Sequence, residues 1–404
     1  AEDPPVSFCG RFLFQIAVGG TMELQIDQSK EYGVVLEGGG ARGAYQIGAW
    51  KALKEAGVRI KGISGASVGA LNGALMCMDD LEKAEYIWEN ITYSKVMDVD
   101  DAVMEKMMSL SLKAGDLQEV LSTMRRIFSE KGLDITPLRN LIMDTVDEEK
   151  IRSSPRDLFV VTYSLSDRKK VLADVKKLPE GQIGDMLLAS AYFLAFKNEK
   201  LGGKRYMDGG SVDNVPIEPL LDAGYKDILV LRIYGIGRDS ERFLEIPDDV
   251  RIYRIAPRQD LGGILDFSKK KARKNMRLGY YDAMRMLYGL QGRHYYIDAQ
   301  GSEAYYFDRM LSELELLKLY IRPVLEAEDW EHLSGYRPFT EQIFPHLAEK
   351  LKLKADWDYK ELYLAVLEEM AKKLGLKRLH IYTSEELIKE IQKRLGALDS
   401  RLPI

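Results

Sequence analysis

Three short stretches of this sequence carry residues whose types and spacing could act together. In "GISGASVGALNGAL", Gly65-Ala66-Ser67-Val68-Gly69 forms G-x-S-x-G between an apolar strand signal and a helical one. A nucleophilic serine needs that context: a tight turn, flanked by glycines where a side chain would collide with strand or helix. The following helix would bring its positive N-terminal end to the serine oxygen and favour charge there. Ser64 is a rival, but its frame, Gly62-x-Ser64-x-Ala66, lacks the second glycine. Gly65, Gly69 and Gly73 fall at i, i+4 and i+8, which predicts a bare helix face lying close against a sheet.

In "VVLEGGGARGAYQIGAW", Gly38, Gly40 and Gly43 satisfy G-x-G-x-x-G between a strand and a helix. Backbone N–H groups at such a turn favour concentrated negative charge, whether a dinucleotide's pyrophosphate or the oxyanion of an acyl-transfer intermediate. A dinucleotide site also wants an acidic residue about 20 positions later for the ribose. That region reads "VRIKGISG", with Arg59 and Lys61 and no carboxylate. Dinucleotide binding is therefore the weaker reading, and a catalytically silent scaffold is a third.

A serine nucleophile needs a base. His294, His332, His346 and His380 all fall late in the chain, outside turn signals, and read as surface or packing residues. The alternative is Asp208 in "YMDGGSVDNVP", at a strand end, where Gly209 and Gly210 let the chain turn and leave the carboxylate free. Asp-Gly is also a common turn pair, so this signal alone is poor. Asp213, five residues on, reads as the cap of a following helix.

These stretches must be positioned by the surrounding elements. Val34–Leu36 and Ile60–Ile63 read as buried strands, and residues 44–56 as a helix closed by Gly57. From about Leu81 to Val146 the sequence is helix-rich. "DLFVVTYSL" and "KKVLADV" suit a hairpin around Ser166-Asp167-Arg168, and "IGDMLLASAYFLAF" reads as helical. "KDILVLRIYG" and "VRIYRIAP" are further strands. The alternation predicts an α/β fold with a largely parallel central sheet. Residues 22–295 form the expected chemical domain, and 296–404 a mainly helical C-terminal module with one short strand near Leu379–Tyr382. Residues 1–21 are set aside as either of vector origin or a leader remnant, with Met22 a candidate start.

The 404 residues are 46% hydrophobic and 30% charged, enough for a sizeable core. A net charge of −5 gives no overall pull toward nucleic acid, and no binding motif suggests it. Cys9 and Cys77 cannot build a disulfide framework, and no Cys/His cluster suggests a metal. A reducing, cytoplasmic setting is the default, although a secreted chain without disulfides would look the same. In "DFSKKKARKNMRLGYYDAMRML", Ala272, Met276, Tyr280 and Met284 recur every fourth residue while Lys269, Lys270, Lys271, Arg273, Lys274 and Arg277 crowd the first turns. Peripheral contact with anionic lipid is one reading. A packed helix with a solvated basic face is the plainer one and is preferred from the sequence.

Taken together and in this order, "EGGGARGAYQIGAW", "GASVGALNGAL" and "YMDGGSVDNVP" resemble the patatin-like phospholipase family over roughly residues 30 to 290. The resemblance implies a three-layer α/β/α fold and a Ser–Asp dyad without histidine. It further implies hydrolysis of lipid acyl esters, with no metal or other cofactor. The family's nucleophile falls on Ser67 and its base on Asp208. Its oxyanion loop falls on Gly38, Gly39, Gly40, Ala41, Arg42 and Gly43. Leu194 and Ala195 in "SAYFLAF" depart from the proline and small residue frequent there, which bears on the acyl pocket.

Overall fold

A computed structural model of the chain describes residues 22–114, 133–193, 196–197, 199–325 and 336–399. Residues 1–21, Leu194, Ala195 and His332 lie outside the described residues. Along the chain run β1 (Glu31–Leu36), α1 (Ala44–Glu55), β2 (Arg59–Ala66), α2 (Val68–Cys77), α3 (Leu81–Glu89), α4 (Tyr93–Val96) and α5 (Asp101–Ala114). Next come α6 (Thr136–Thr145), α7 (Glu148–Ser153), β3 (Asp157–Ser164), β4 (Lys169–Asp174), α8 (Ile183–Ser190) and β5 (Tyr206–Met207). They are followed by α9 (Glu218–Asp222), β6 (Asp227–Leu231), β7 (Arg251–Ile255) and the long α10 (Lys269–Tyr288).

The main sheet orders its strands β4-β3-β2-β1-β6-β7, with β5 paired beside β3. β1, β2, β3, β6 and β7 are mutually parallel, and β4 and β5 run antiparallel to β3. Helices cover the sheet unequally. Val34 and Leu36 pack into the large core with α1, α2 and α10. Val35, one residue out of phase, joins a smaller cluster with Val215, Ile217 and Leu220 on the other face. The chain leaves β1 toward β2 on one side, while β6 lies on the other. A crevice therefore opens at the carboxyl ends of these strands, the usual place for a ligand in such a sheet.

The register explains why the three motifs meet. Leu36 pairs with Gly65, and Ala66 pairs with Val161, so the chain turns off β1 and β2 at one edge. β2 runs on to Ala66 rather than ending at Ile63, and it delivers Ser67 directly to the turn. Gly65 consequently belongs to the strand; only Gly69 and Gly73 form the bare helix face. A Cβ on Gly69 would lie 2.1 Å from the Leu36 carbonyl oxygen, so α2 sits against the end of β1. α8 stops at Ser190 instead of continuing through "AYFLAF". Beyond it the Tyr192 carbonyl accepts from the Asp208 amide at 2.9 Å, a tertiary bond that replaces further helix.

α1 and α10 cross backbone to backbone. A Cβ on Gly48 would lie 1.7 Å from the Met276 carbonyl oxygen, and one on Gly279 would lie 1.8 Å from that of Tyr45. The C-terminal elements are β8 (Tyr296–Asp298), α11 (Glu303–Ser312), α12 (Leu314–Leu325), α13 (Phe344–Lys350), α14 (Tyr359–Lys373), β9 (Ile381–Thr383) and α15 (Ser384–Asp399). β8 and β9 pair in parallel, and these elements have a separate core around Ile297, Tyr306, Phe344, Tyr363 and Leu387. Among the described residues no helix is long and apolar enough to cross a membrane.

Candidate active site

Ser67 joins the end of β2 to the start of α2 with φ 54° and ψ −127°. A non-glycine residue adopts positive φ only when its surroundings enforce it, at a cost of about 1–3 kcal/mol. The enforcing contact is visible: the Ser67 amide donates to Ser190 Oγ at 2.9 Å, and that hydroxyl donates to the Val161 carbonyl at 2.6 Å. The Ser67 side chain lies close to the Asp208 carboxylate and draws its proton affinity down, and both residues line one cavity. Asp208 Oδ1 accepts the Gly210 amide at 2.8 Å. Burial pushes the Asp208 carboxyl up to about 6, while Ser67 and Gly210 pull the other way.

Gly209 places the chain here because nothing larger fits: its Cβ would fall 2.1 Å from the Val161 carbonyl oxygen. Asp213, by contrast, does not cap a helix. α9 begins at Glu218 with Ile217 at its cap and no side-chain cap bond. The Asp213 side chain is buried and pairs with Lys170 Nζ at 3.1 Å, and the same ammonium reaches Glu218 at 2.6 Å. Burying the carboxylate demanded a cation, and β4 supplies it across the sheet edge.

The glycine turn brings two amides to the same place. Gly38 N–H donates to the Asn214 carbonyl at 3.2 Å and Ala41 N–H to that of Ile264 at 2.7 Å. The amides of Gly39 and Gly40 donate to no acceptor among the described residues, and both glycines line a cavity shared with Ser67, Val68, Asp208 and Asn214. Gly40 has φ +55°, and a Cβ there would lie 2.2 Å from the Ile264 carbonyl oxygen. Gly43 lets α1 approach Val68 and Trp88, 2.6 and 2.9 Å from where its Cβ would be. Arg42 adds no charge to the cavity. Its guanidinium donates to the carbonyls of Gly262, at 2.7 Å, and of Ile233 and Tyr234, tying the turn to the segments after β6 and β7.

The cavity has a volume of about 150 Å³. Leu71, Leu75, Trp88, Ile142, Phe193 and Phe267 are among its apolar walls, and among the described residues no lysine or arginine lines it. A pyrophosphate would find two free amides but no cation, so the wall chemistry suits an acyl chain instead. His294, His346 and His380 do not line the cavity.

Sequence reasoning missed four supports. Asn214 Nδ2 donates to the Gly38 carbonyl at 3.1 Å, binding the Asp208 loop to the glycine turn. Ser190 holds the elbow. Asn72, buried, donates to the Gly43 carbonyl at 3.0 Å and accepts from Trp88 Nε1 at 3.0 Å. Glu37 Oε2 accepts the amides of Ile233 and Tyr234 at 2.6 and 3.0 Å and Arg232 Nε at 3.1 Å. Burial raises the Glu37 carboxyl, against the pull of Arg232 and those amides. Only Glu37 left a signal, as a carboxylate closing an otherwise apolar strand.

Residues 34–221 match the family described as patatin-like phospholipase. The chain is 29% identical over 206 residues to the neuropathy target esterase sws of Drosophila melanogaster, covering 50% of this chain and 13% of that protein. It is 56% identical over 50 residues to lysophospholipase nte1 of Aspergillus terreus, covering 12% of this chain and 3% of that one. These matches thus span only a small part of the curated relatives' length. Among solved structures, VipD from Legionella pneumophila aligns with TM-score 0.38 and 13% identity, covering 92% of this chain and 88% of that one. The type III effector ExoU aligns with TM-score 0.36 and 16% identity, covering 91% and 79%. Residues 34–221, which hold all three motifs, are thus a region similar to the patatin-like phospholipase family.

Proposed function

We propose that the chain hydrolyses carboxylic esters of phospholipids or lysophospholipids, with Ser67 as nucleophile, Asp208 as base and the amides of Gly39 and Gly40 as oxyanion donors. One observation carries the reading: a strained serine and a desolvated carboxylate share an apolar cavity with two unengaged amides. As Ser67 Oγ bonds to the ester carbon, its proton passes to Asp208 and the carbonyl electrons move onto oxygen, facing the two amides. Collapse breaks the bond to the leaving alkoxide, which takes the proton from Asp208. Water then attacks the acyl-enzyme, Asp208 takes its proton, and Ser67 recovers that proton as the fatty acid leaves. A carboxyl near 6 is a better proton acceptor for this work than an ordinary aspartate.

Ser67, Val68, Leu71 and Leu75 share the cavity side of α2, so an apolar slot follows that helix for about 12 Å. The slot suits one extended acyl chain. Residues 22–295 are taken as the hydrolase domain, with 296–404 attached to it. The test is fluorophosphonate labelling followed by mass spectrometry, alongside fatty-acid release from lysophosphatidylcholine. Label on Ser67, and loss of release in both Ser67→Ala and Asp208→Asn, is expected. Label or activity lost in Ser64→Ala but retained in Ser67→Ala would identify the wrong serine. A protein that neither labels nor releases fatty acid would be left with the scaffold reading.

A further inference from the structure

The cavity mouth carries exposed apolar side chains that the chemistry does not require. Tyr234 and Ile236 are 55% and 60% exposed, and Ile236 also lines the cavity that holds Ser67. The segment bearing them is held on both sides of the crevice. The Tyr234 amide donates to Glu37, and the Tyr234 carbonyl accepts from Arg42. At Gly235 a Cβ would fall 1.8 Å from the Gly38 carbonyl oxygen. The Arg238 amide donates to the Gly210 carbonyl at 2.8 Å. Such bracing presents an apolar tip at a fixed place on the rim.

Beside the same turn begins α10. Ile264 lines the cavity and accepts the Ala41 amide, and five residues later the helix opens with its basic cluster. Lys269, Lys270, Arg273, Lys274 and Arg277 are exposed and recur at i, i+1, i+4, i+5 and i+8, a single stripe of two turns and more. None of the five has an ion-pair partner among the described residues. The opposite face, through Ala272, Met276 and Gly279, is buried against α1. An unneutralised cationic stripe beside an exposed apolar tip is the composition of a surface that rests on anionic lipid.

We propose that the rim formed by Tyr234 and Ile236, together with the stripe Lys269, Lys270, Arg273, Lys274 and Arg277, docks this chain onto an anionic phospholipid bilayer with the cavity mouth at the lipid. The proposal rests on the acyl-hydrolase reading for its purpose, but its test does not depend on catalysis. The whole chain is sedimented with vesicles of mixed phosphatidylcholine and phosphatidylserine, and in parallel with pure phosphatidylcholine vesicles. A soluble short-chain ester is assayed separately. Binding to the mixed vesicles, weakened by salt, is expected. Each basic side chain near an anionic surface contributes about 1 kcal/mol, so K269Q/K270Q/R273Q/K274Q should lose on the order of a thousandfold in vesicle affinity while hydrolysing the soluble ester as wild type does. Ile236→Ser should weaken binding to both vesicle types.

Wild-type affinity in the quadruple variant, or binding indifferent to salt and to phosphatidylserine, would overturn the proposal. So would saturable binding to a nucleic-acid homopolymer, lost in the same variant, with no vesicle binding. Vesicle binding without ester hydrolysis would leave the docking face standing and sink the hydrolase reading instead.

Discussion

Two carboxylates, one half-buried in the crevice and one buried where the helical module joins, accept backbone amides in opposite ways. Glu368 on α14 accepts three consecutive amides, from Arg293, His294 and Tyr295, at 2.8, 2.8 and 2.7 Å. Nearby, Arg293 donates to the Leu351 and Lys352 carbonyls and Arg378 to that of His294. Asp208 accepts one amide, from Gly210, has the Ser67 side chain close by, and no lysine or arginine pairs with it among the described residues. A carboxylate that holds two bodies together is saturated with donors. One poised to take a proton is left short of them, and its raised proton affinity is the consequence.

The comparison can be broken most decisively in the crevice. Ser67→Ala should cost at least a thousandfold in ester turnover with little change in melting temperature, because the nucleophile has no substitute. Retained turnover would mean that the elbow's strain serves folding alone. At the junction the expectation is reversed: Glu368→Ala strands three amides, one buried and two part-buried, and should lower stability by about 3 kcal/mol, while the folded fraction keeps its turnover number. Thermal melts and active-site-titrated rates would show this, and a fall in turnover at unchanged stability would erase the distinction.

Asp213 sharpens it at smaller scale. Asp213→Asn removes the charge facing Lys170 and should cost about 2 kcal/mol, whereas a helix cap would tolerate that substitution. An unchanged melting temperature in Asp213→Asn would restore the cap.

The smallest effect is the most diagnostic. Asp208 has a folded value of about 6, above its unfolded value near 3.8, so the native state holds this proton more tightly. Its ionised form therefore weakens the fold as pH rises through that interval, and the loss is complete above about 6. Asp208→Asn should be inactive yet more stable than wild type at neutral pH, by about 1–2 kcal/mol, with the gain vanishing near pH 4. Wild-type turnover should fall about tenfold per unit below about 6, since the base must be unprotonated. A rate step in that range looks like a histidine, so pH alone will not identify the base. Equal stabilities of wild type and Asp208→Asn at neutral pH would mean that the carboxyl carries no such penalty.

What the sequence made legible was local. Gly39, Gly40, Ser67 and Asp208 lie in turns whose glycines are demanded by immediate backbone geometry, and strand alternation was enough to set those turns at neighbouring strand ends. What it hid was long-range. Ser190 looks like any small helical residue until the Ser67 amide, 123 positions away, is seen to donate to it. Asn214 and Asp213 are adjacent and similar in type, yet one binds the glycine turn and the other a lysine on β4. "AYFLAF" has helical composition, but the Asp208 amide claims the Tyr192 carbonyl.

The crossing of Gly48 and Gly279 has a mechanical consequence. Ordinary helix pairs are separated by a layer of side chains that can rotate and absorb displacement; here peptide meets peptide, and that cushion is missing. α10 runs from the segment supporting the glycine turn at one end to Asp282 at the other, where Tyr45 of α1 and Tyr296 of β8 converge on one carboxylate. A stiff strut thus joins the helical module to the turn. A displacement of the module therefore meets little side-chain cushioning on its way to the segment that supports Gly40.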